Sequence, residues 1–204
     1  HSRHNLPFAT NNNGYDGAED TKILVNNDAI KAHFTALTEW KENGLFEWYG
    51  TGWGDNQQPF EDGDVAIWLG SSGSFGGLMS KDLGFEFSAT VLPYWEGVTS
   101  EPKQTFIGGA SLFAMSGHDA EENEAAAEFF KYLTSPEVQY FWHQETGYVP
   151  ITEAAYELAK EDGHYDRFPA AEVGIQQLSL PGGDNTKGYR MGFYVQIRDV
   201  MNRE

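Results

Sequence analysis

Residues 106–115 read FIGGASLFAM. Phe106 and Ile107 on one side, and Leu112 and Phe113 on the other, have the apolar character of a buried strand. Gly108, Gly109, Ala110 and Ser111 interrupt it. Glycine weakens a strand and gives it no side chain to pack, so inside a strand pattern it marks a bend or bulge, or a place where another backbone or a ligand comes close. Both readings stand on this stretch alone.

Outward from it, strand and helix signals alternate. VAIWLG at 65–70 reads as a short buried strand, and FEFSATVLPYW at 85–95 alternates until Pro93 ends it. Between them SSGSFGGLMSKDLG reads as a turn into a helix beginning near Ser72 or Ser74. A helix is expected from about Asp28 to Asn43, capped by Asn27 or Asp28, with Ile30, Phe34, Leu37 and Trp40 or Lys41 at helical spacing and Gly44 as its stop. A second is expected from Asp119 to Leu133, burying Ala126, Phe129, Phe130 and Leu133. A third opens on Ser135 and Pro136 and closes on Gly147; a fourth covers Glu153 to Asp162, before Gly163. The opening NNNGYDGAED is turn-rich, LFEWYGTGWGDNQQPFEDGD is an aromatic loop, and the tail ends in a helix. Alternating strands and helices make the expected class α/β.

The chain has 204 residues, 31 of them acidic against 13 basic, for a net charge of −18. Binding nucleic acid by counterion release needs clustered Lys and Arg, and none is present. An anionic membrane surface is disfavoured for the same reason. Cysteine is absent, which removes disulfides, thiolate nucleophiles and zinc–thiolate sites together. No apolar run approaches a membrane span. The opening HSRHNLPFAT has no apolar signal-peptide core and no starting Met, so processing or truncation is expected to set this end.

The catalytic motifs fail one by one. The nearest approach to a hydrolase elbow, Gly109-Ala110-Ser111-Leu112-Phe113, lacks the second glycine. Neither the nucleotide P-loop nor the dinucleotide glycine fingerprint occurs. The six histidines, His1, His4, His33, His118, His143 and His164, show no zinc-protease spacing. EDGD at 61–64 lacks the alternating ligands of a calcium loop and reads as a solvated turn.

What survives is a recognition pattern. Ser71, Ser72, Gly73 and Ser74 follow a strand and precede a helix, where hydroxyls and backbone N–H groups suit an anion or polyol, or simply cap the helix. The glycine knot is the second feature. Tyr148 in TGYVPI, with Arg190 and Arg198 in the tail, supplies amphipathic and forked donors, though such residues are also commonly surface groups.

The order GDVAIWLGSSGS, LPYWEG, FIGGASLFAM, AAAEFFKYLTSPEVQYFWHQETGYVPIT and TKGYRMGFYVQIR, with the opening HNLPFATNNNGYDG, resembles extracellular solute-binding proteins of ABC importers over essentially the whole chain. The resemblance is to the branch that takes glycerol-3-phosphate or glycerophosphodiesters. GDVAI, LP and F..YLTSPE are generic; IGGASL, HQETGYVPIT and TKGYRMG are more specific.

The resemblance implies a two-lobed, hinged α/β periplasmic-binding-protein-like fold with ligand held between the lobes, of which this chain is roughly the second half. Residues 1–93 would be the first part of the C-terminal lobe, 94–134 a crossover into the N-terminal lobe, and 135–204 the second part of the C-terminal lobe. Carried over motif by motif, the ligand contacts are Ser71, Gly108, Tyr148 and Arg198, with Arg198 preferred to Arg190. The resemblance implies capture without chemistry, no cofactor, no metal, an ABC permease as partner, and a monomer when full-length. It also implies a periplasmic or extracellular location, lipid-anchored in a Gram-positive source. Absent portions would hold the signal peptide and a pair of stacking tryptophans.

A net charge of −18 repels a phosphate dianion at long range, whereas a zwitterionic glycerophosphodiester escapes much of that repulsion. Trp48, Tyr49, Trp53, Tyr94 and Trp95 are candidates for cation–π contacts with a choline group, or for ordinary packing. A neutral-sugar binder and a glycosidase with two unrecognised carboxylates stay as alternatives.

Overall fold

The computed structural model describes residues 1–203. Its principal helices are α1 (Asp28–Glu42), α2 (Phe75–Met79), α3 (Ala120–Leu133), α4 (Pro136–Thr146), α5 (Glu153–Glu161), α6 (His164–Arg167) and α7 (Tyr194–Arg203). The chain divides into two compact units, one built from His1–Trp68, Leu92–Ile107 and Gln177 onward, the other from Leu69–Val91 and Gly108–Gln176.

Helix boundaries follow the capping chemistry of the sequence. The Asn27 side chain accepts a hydrogen bond from the Ile30 N–H at 3.1 Å and opens α1, and Gly44, at φ +69°, follows its end. Asp119 and Glu122 form a reciprocal capping box at the start of α3. Pro136 begins α4 and Gly147, in the left-handed region, ends it. Ser135 departs from expectation: its hydroxyl donates back to the Tyr132 carbonyl at 2.8 Å instead of capping α4. On α3, Ala126, Phe130 and Leu133 are only half-buried and Phe129 is exposed, so the apolar face expected to be inside is partly open.

The expected strands are a larger correction. Among the described residues the only β-pairing is an isolated antiparallel bridge between Ala9 and Ile23. The segments 65–70, 85–95 and 105–115 run without regular secondary structure, so the α/β class read from the sequence does not appear as a sheet. The physical reason is the absence of ladder partners. A strand is stabilised by cross-strand hydrogen bonds and by burial of its faces. Here Ile67 is 82% exposed and Phe113 79% exposed, with Ile107, Leu112 and Met115 also open.

The first unit is tied together around its N-terminal stretch. The buried Arg3 guanidinium donates from Nε to the Leu92 carbonyl at 2.7 Å and from Nη1 to the Lys103 carbonyl at 3.0 Å. The buried Asn13 side chain accepts from the Phe8 and Ala9 N–H groups at 2.8 and 3.0 Å. Asn11, Asn12 and Asn13 all hold left-handed φ values near +53°, a conformation asparagine tolerates better than most residues. Trp40 of α1 stacks on Trp95, whose indole N–H donates to His33 Nδ1 at 3.2 Å.

The second unit packs α4 against α2, α3 and α5, with α6 following α5. Ala155 and Ala159, one turn apart on α5, are fully buried, and small side chains there let neighbouring elements approach closely. Ala159, Tyr165 and Ala171 form the core, with Phe75, Tyr140, Tyr156, Phe168 and Ile175 against it. Tyr140 Oη donates to Asp162 Oδ2 at 2.6 Å, and the Arg167 guanidinium holds the same carboxylate and the Asp162 carbonyl.

Candidate functional site

The second unit gathers three sequence-selected features at one place. Ser71 has extended φ and ψ and caps a short 3-10 turn, Ser72–Ser74, its Oγ accepting from the Gly73 N–H at 3.2 Å. That turn leads directly into α2. The loop at the end of α4 is seated against it: a Cβ on Gly147 would lie 2.4 Å from the Ser72 carbonyl oxygen, and one on Gly76 would lie 2.3 Å from the Glu145 carbonyl oxygen. Two backbones therefore meet where any larger residue would hold them apart.

Tyr148, the residue after Gly147, then stands over the turn. A Cβ on Gly73 would lie 2.7 Å from Tyr148 Cε2, and one on Gly109 would lie 3.8 Å from Cε1 on the other edge of the ring. The ring thus spans the serine–glycine turn and the glycine knot. Its backbone N–H donates to Thr146 Oγ1 at 3.1 Å, and its carbonyl accepts from His143 Nδ1 at 2.7 Å. The ring is 46% exposed, and its hydroxyl has no hydrogen-bond partner among the described residues.

Gly108 itself has open space where a Cβ would stand, and its N–H makes no hydrogen bond among the described residues. It is Gly109, at φ +122°, that approaches Tyr148. Among the described residues, then, no backbone crosses at Gly108. Ser71 and Gly108 are exposed, and each lies within two residues of a glycine that Tyr148 approaches.

Arg198 belongs to the first unit. It lies on α7, exposed, with its Nε 3.9 Å from Asp199 Oδ1. Its charge acts against the upward shift of Tyr189, whose hydroxyl is held neutral chiefly by burial and by a 2.6 Å hydrogen bond with Tyr194. Arg190 is exposed, and its backbone N–H donates to the Asn13 carbonyl at 2.8 Å.

The same unit forms a partly open pocket of about 370 Å³ whose lining includes Arg3, Asn13, Phe106, Asn185 and Tyr189. Phe106 of the opening stretch packs edge-on to Tyr189 there, with ring centroids 5.4 Å apart. Of the aromatic candidates, Tyr94 already carries the Arg3 guanidinium 5.8 Å over its ring, and Trp95 is stacked on Trp40. Trp48, Tyr49 and Trp53 are exposed. Among the described residues no three His, Asp or Glu side chains gather closely enough to hold a metal ion.

The sequence reading passed over His143, weighing it only as a metal ligand. It is 2% exposed, directly under the Tyr148 loop, and burial holds its imidazole below the usual histidine range. The available signal was its place within HQETGYVP, five residues before Tyr148 and four before the Gly147 stop.

The profile of the bacterial extracellular solute-binding proteins matches residues 1–170. A relative from Yersinia pestis, named as the sn-glycerol-3-phosphate-binding periplasmic protein UgpB, is 39% identical over 202 residues, 98% of this chain and 45% of its own length. The protein of the same name from Yersinia enterocolitica is also 39% identical over 202 residues, and that from Salmonella typhimurium is 38% identical over 200. The chain spans about half the length of the curated relatives it matches. With a match of this breadth, the chain belongs to the bacterial extracellular solute-binding proteins and shares their periplasmic-binding-protein-like fold.

Proposed function

We propose that the chain forms part of the substrate-binding component of an ABC importer, capturing glycerol-3-phosphate or a glycerophosphodiester outside the cytoplasmic membrane. The observation that carries the reading is the seating of Tyr148 between Gly73 and Gly109, its hydroxyl unpaired among the described residues, with Ser71 two residues before Gly73 and the Gly108 N–H one residue before Gly109. Neutral donors on close-packed turns suit phosphate oxygens and glycerol hydroxyls. The names of the relatives supply the ligand class.

In this reading Ser71, Gly108 and Tyr148 donate neutral hydrogen bonds, and Arg198 adds a forked, charge-assisted pair to phosphate. Capture involves no bond making or breaking. In the whole protein two α/β lobes close about the ligand, and the closed form engages the permease as a monomer. Residues 1–93 and 135–204 supply the C-terminal lobe and 94–134 cross into the other. The apolar side chains left open along 106–115 support this, because such side chains are stabilised when neighbouring strands cover them.

The test is a thermal-shift and calorimetric titration of the chain, and of a full-length version, with glycerol-3-phosphate, glycerophosphocholine and maltose. Binding to the folded form raises Tm with ligand concentration. A saturable shift with a phosphate compound supports the reading. A shift with maltose alone moves the assignment to neutral sugars, the second reading, which the net charge of −18 and the exposed Trp48 and Trp53 favour. Slow product formation in place of equilibrium binding would make it an enzyme.

A further inference from the structure

We propose that His143 is the positioning residue of the Tyr148 site: its Nδ1–H clamps the Tyr148 carbonyl and so sets the ring across Gly73 and Gly109. The inference rests on the ligand-binding reading above for its functional consequence, but not for its geometry.

A carbonyl oxygen only accepts, so the 2.7 Å contact requires the proton on His143 Nδ1 and leaves Nε2 as a bare lone pair. That Nε2 is buried with no hydrogen-bond partner. So are His164 Nδ1 and the Tyr165 hydroxyl, on rings whose centroids lie 5.3 and 5.7 Å from that of His143. His164 is itself only 5% exposed. An unpartnered buried polar atom is costly, and here three lie together. The tie at Nδ1 is what this cluster offers to the surface: one helical turn and a left-handed glycine separate it from the tyrosine it holds.

The Nδ1–H bond survives protonation of the ring, which adds its proton at Nε2. A second proton at Nε2 would make a buried cation, and no carboxylate stands ready for it. Asp162 lies beside His164 but is taken by Arg167 and Tyr140, and Glu172 is taken by Tyr156. On α3, packed against α4, Glu128 and Lys131 pair with each other at the surface. The α2 segment Phe75–Met79 carries no titratable side chain. His164 is also pushed downward, by burial first and then by His143.

The test compares the wild-type chain with His143→Asn, whose side-chain amide nitrogen takes the position of Nδ1, and with His143→Leu, which has no donor. Nitrogen-15 NMR of the wild type should report the Nδ1–H tautomer, and ring relaxation should show Tyr148 ordered in wild type and Asn variant but mobile in Leu. Glycerol-3-phosphate affinity should fall about tenfold in the Leu variant, the size of one lost hydrogen bond, and be largely rescued by Asn. An Nε2–H tautomer, or a Tyr148 ring equally ordered in the Leu variant, overturns the proposal. So does unchanged affinity in the Leu variant with the ring mobile. If no protein binds any probe while tautomer and ring order come out as stated, the ligand reading fails and the clamp stands.

Discussion

Tyr148 rests so close to Gly73 that a single added methyl would lie 2.7 Å from its Cε2 atom, whereas Gly108, a few residues from its other edge, faces open space. The two glycines therefore separate two effects. Gly73→Ala should displace the Tyr148 ring, which is half exposed and can move outward toward solvent, so the cost in stability should stay below about 1 kcal/mol. Glycerol-3-phosphate binding should nevertheless weaken. A Cβ at Gly108 meets nothing among the described residues, so with Gly108→Val the fold should be spared and only the affinity should fall. Melting and titration of both variants check this; a large Tm drop for Gly108→Val would show that the open space is needed by the fold.

Gly147→Ala should behave differently. The residue sits at φ +81°, and its Cβ would meet the Ser72 carbonyl at 2.4 Å and Phe75 Cβ at 2.8 Å. Neither atom is the end of a flexible side chain. Left-handed strain and a backbone clash together should destabilise the second unit by about 2–4 kcal/mol, read as a lower urea midpoint. A loss under about 0.5 kcal/mol, the range of an ordinary surface substitution, would mean that the loop relaxes away from the turn at no cost.

The helices were legible because their signals are local. Asn27, the Asp119–Glu122 box, Pro136 and Gly147 act within one turn of chain, and each helix begins and ends within a residue or two of where they place it. Gly73, Gly109 and Tyr148 come together where the 71–74 turn and the 147–148 loop both carry glycine, which the sequence displayed. The strands were misread for a nonlocal reason. FIGGASLFAM has strand composition, but a strand exists only with partners, and among the described residues none pairs with it. His143 was missed because burial of a lone histidine leaves no trace in spacing.

Acid should destabilise the second unit. His143 and His164 are both shifted downward, chiefly by burial, so between their folded values and the ordinary histidine value of about 6.5 the unfolded chain binds more protons. Stability then rises with pH in that window: full stability is present above about pH 6.5 and is lost as the pH falls through it. Melts followed by tyrosine fluorescence from pH 8 to 5 should show the decline, and His143→Asn with His164→Gln should flatten it. A Tm that stays level in the wild type would mean that both imidazoles are protonated without loss of the fold.

Arg198 offers the sharpest division between binding and stability. Its side chain is exposed, and its only ion pair among the described residues is a 3.9 Å contact with its neighbour Asp199. Exposed pairs of this kind contribute at most about 1 kcal/mol, so Arg198→Ala should leave Tm almost unchanged. A charge-assisted bond to phosphate contributes about 1.5–3 kcal/mol, so glycerol-3-phosphate affinity should fall by roughly 10- to 150-fold. Arg198→Lys should recover only part, since an ammonium cannot form the fork. The net charge of −18 adds an independent check on the ligand's own charge. Added salt screens repulsion, so association of a dianion should quicken while that of glycerophosphocholine hardly changes. Equal affinity of the alanine variant and the wild type in calorimetry would remove Arg198 from the site and leave Arg190 as the arginine to test next.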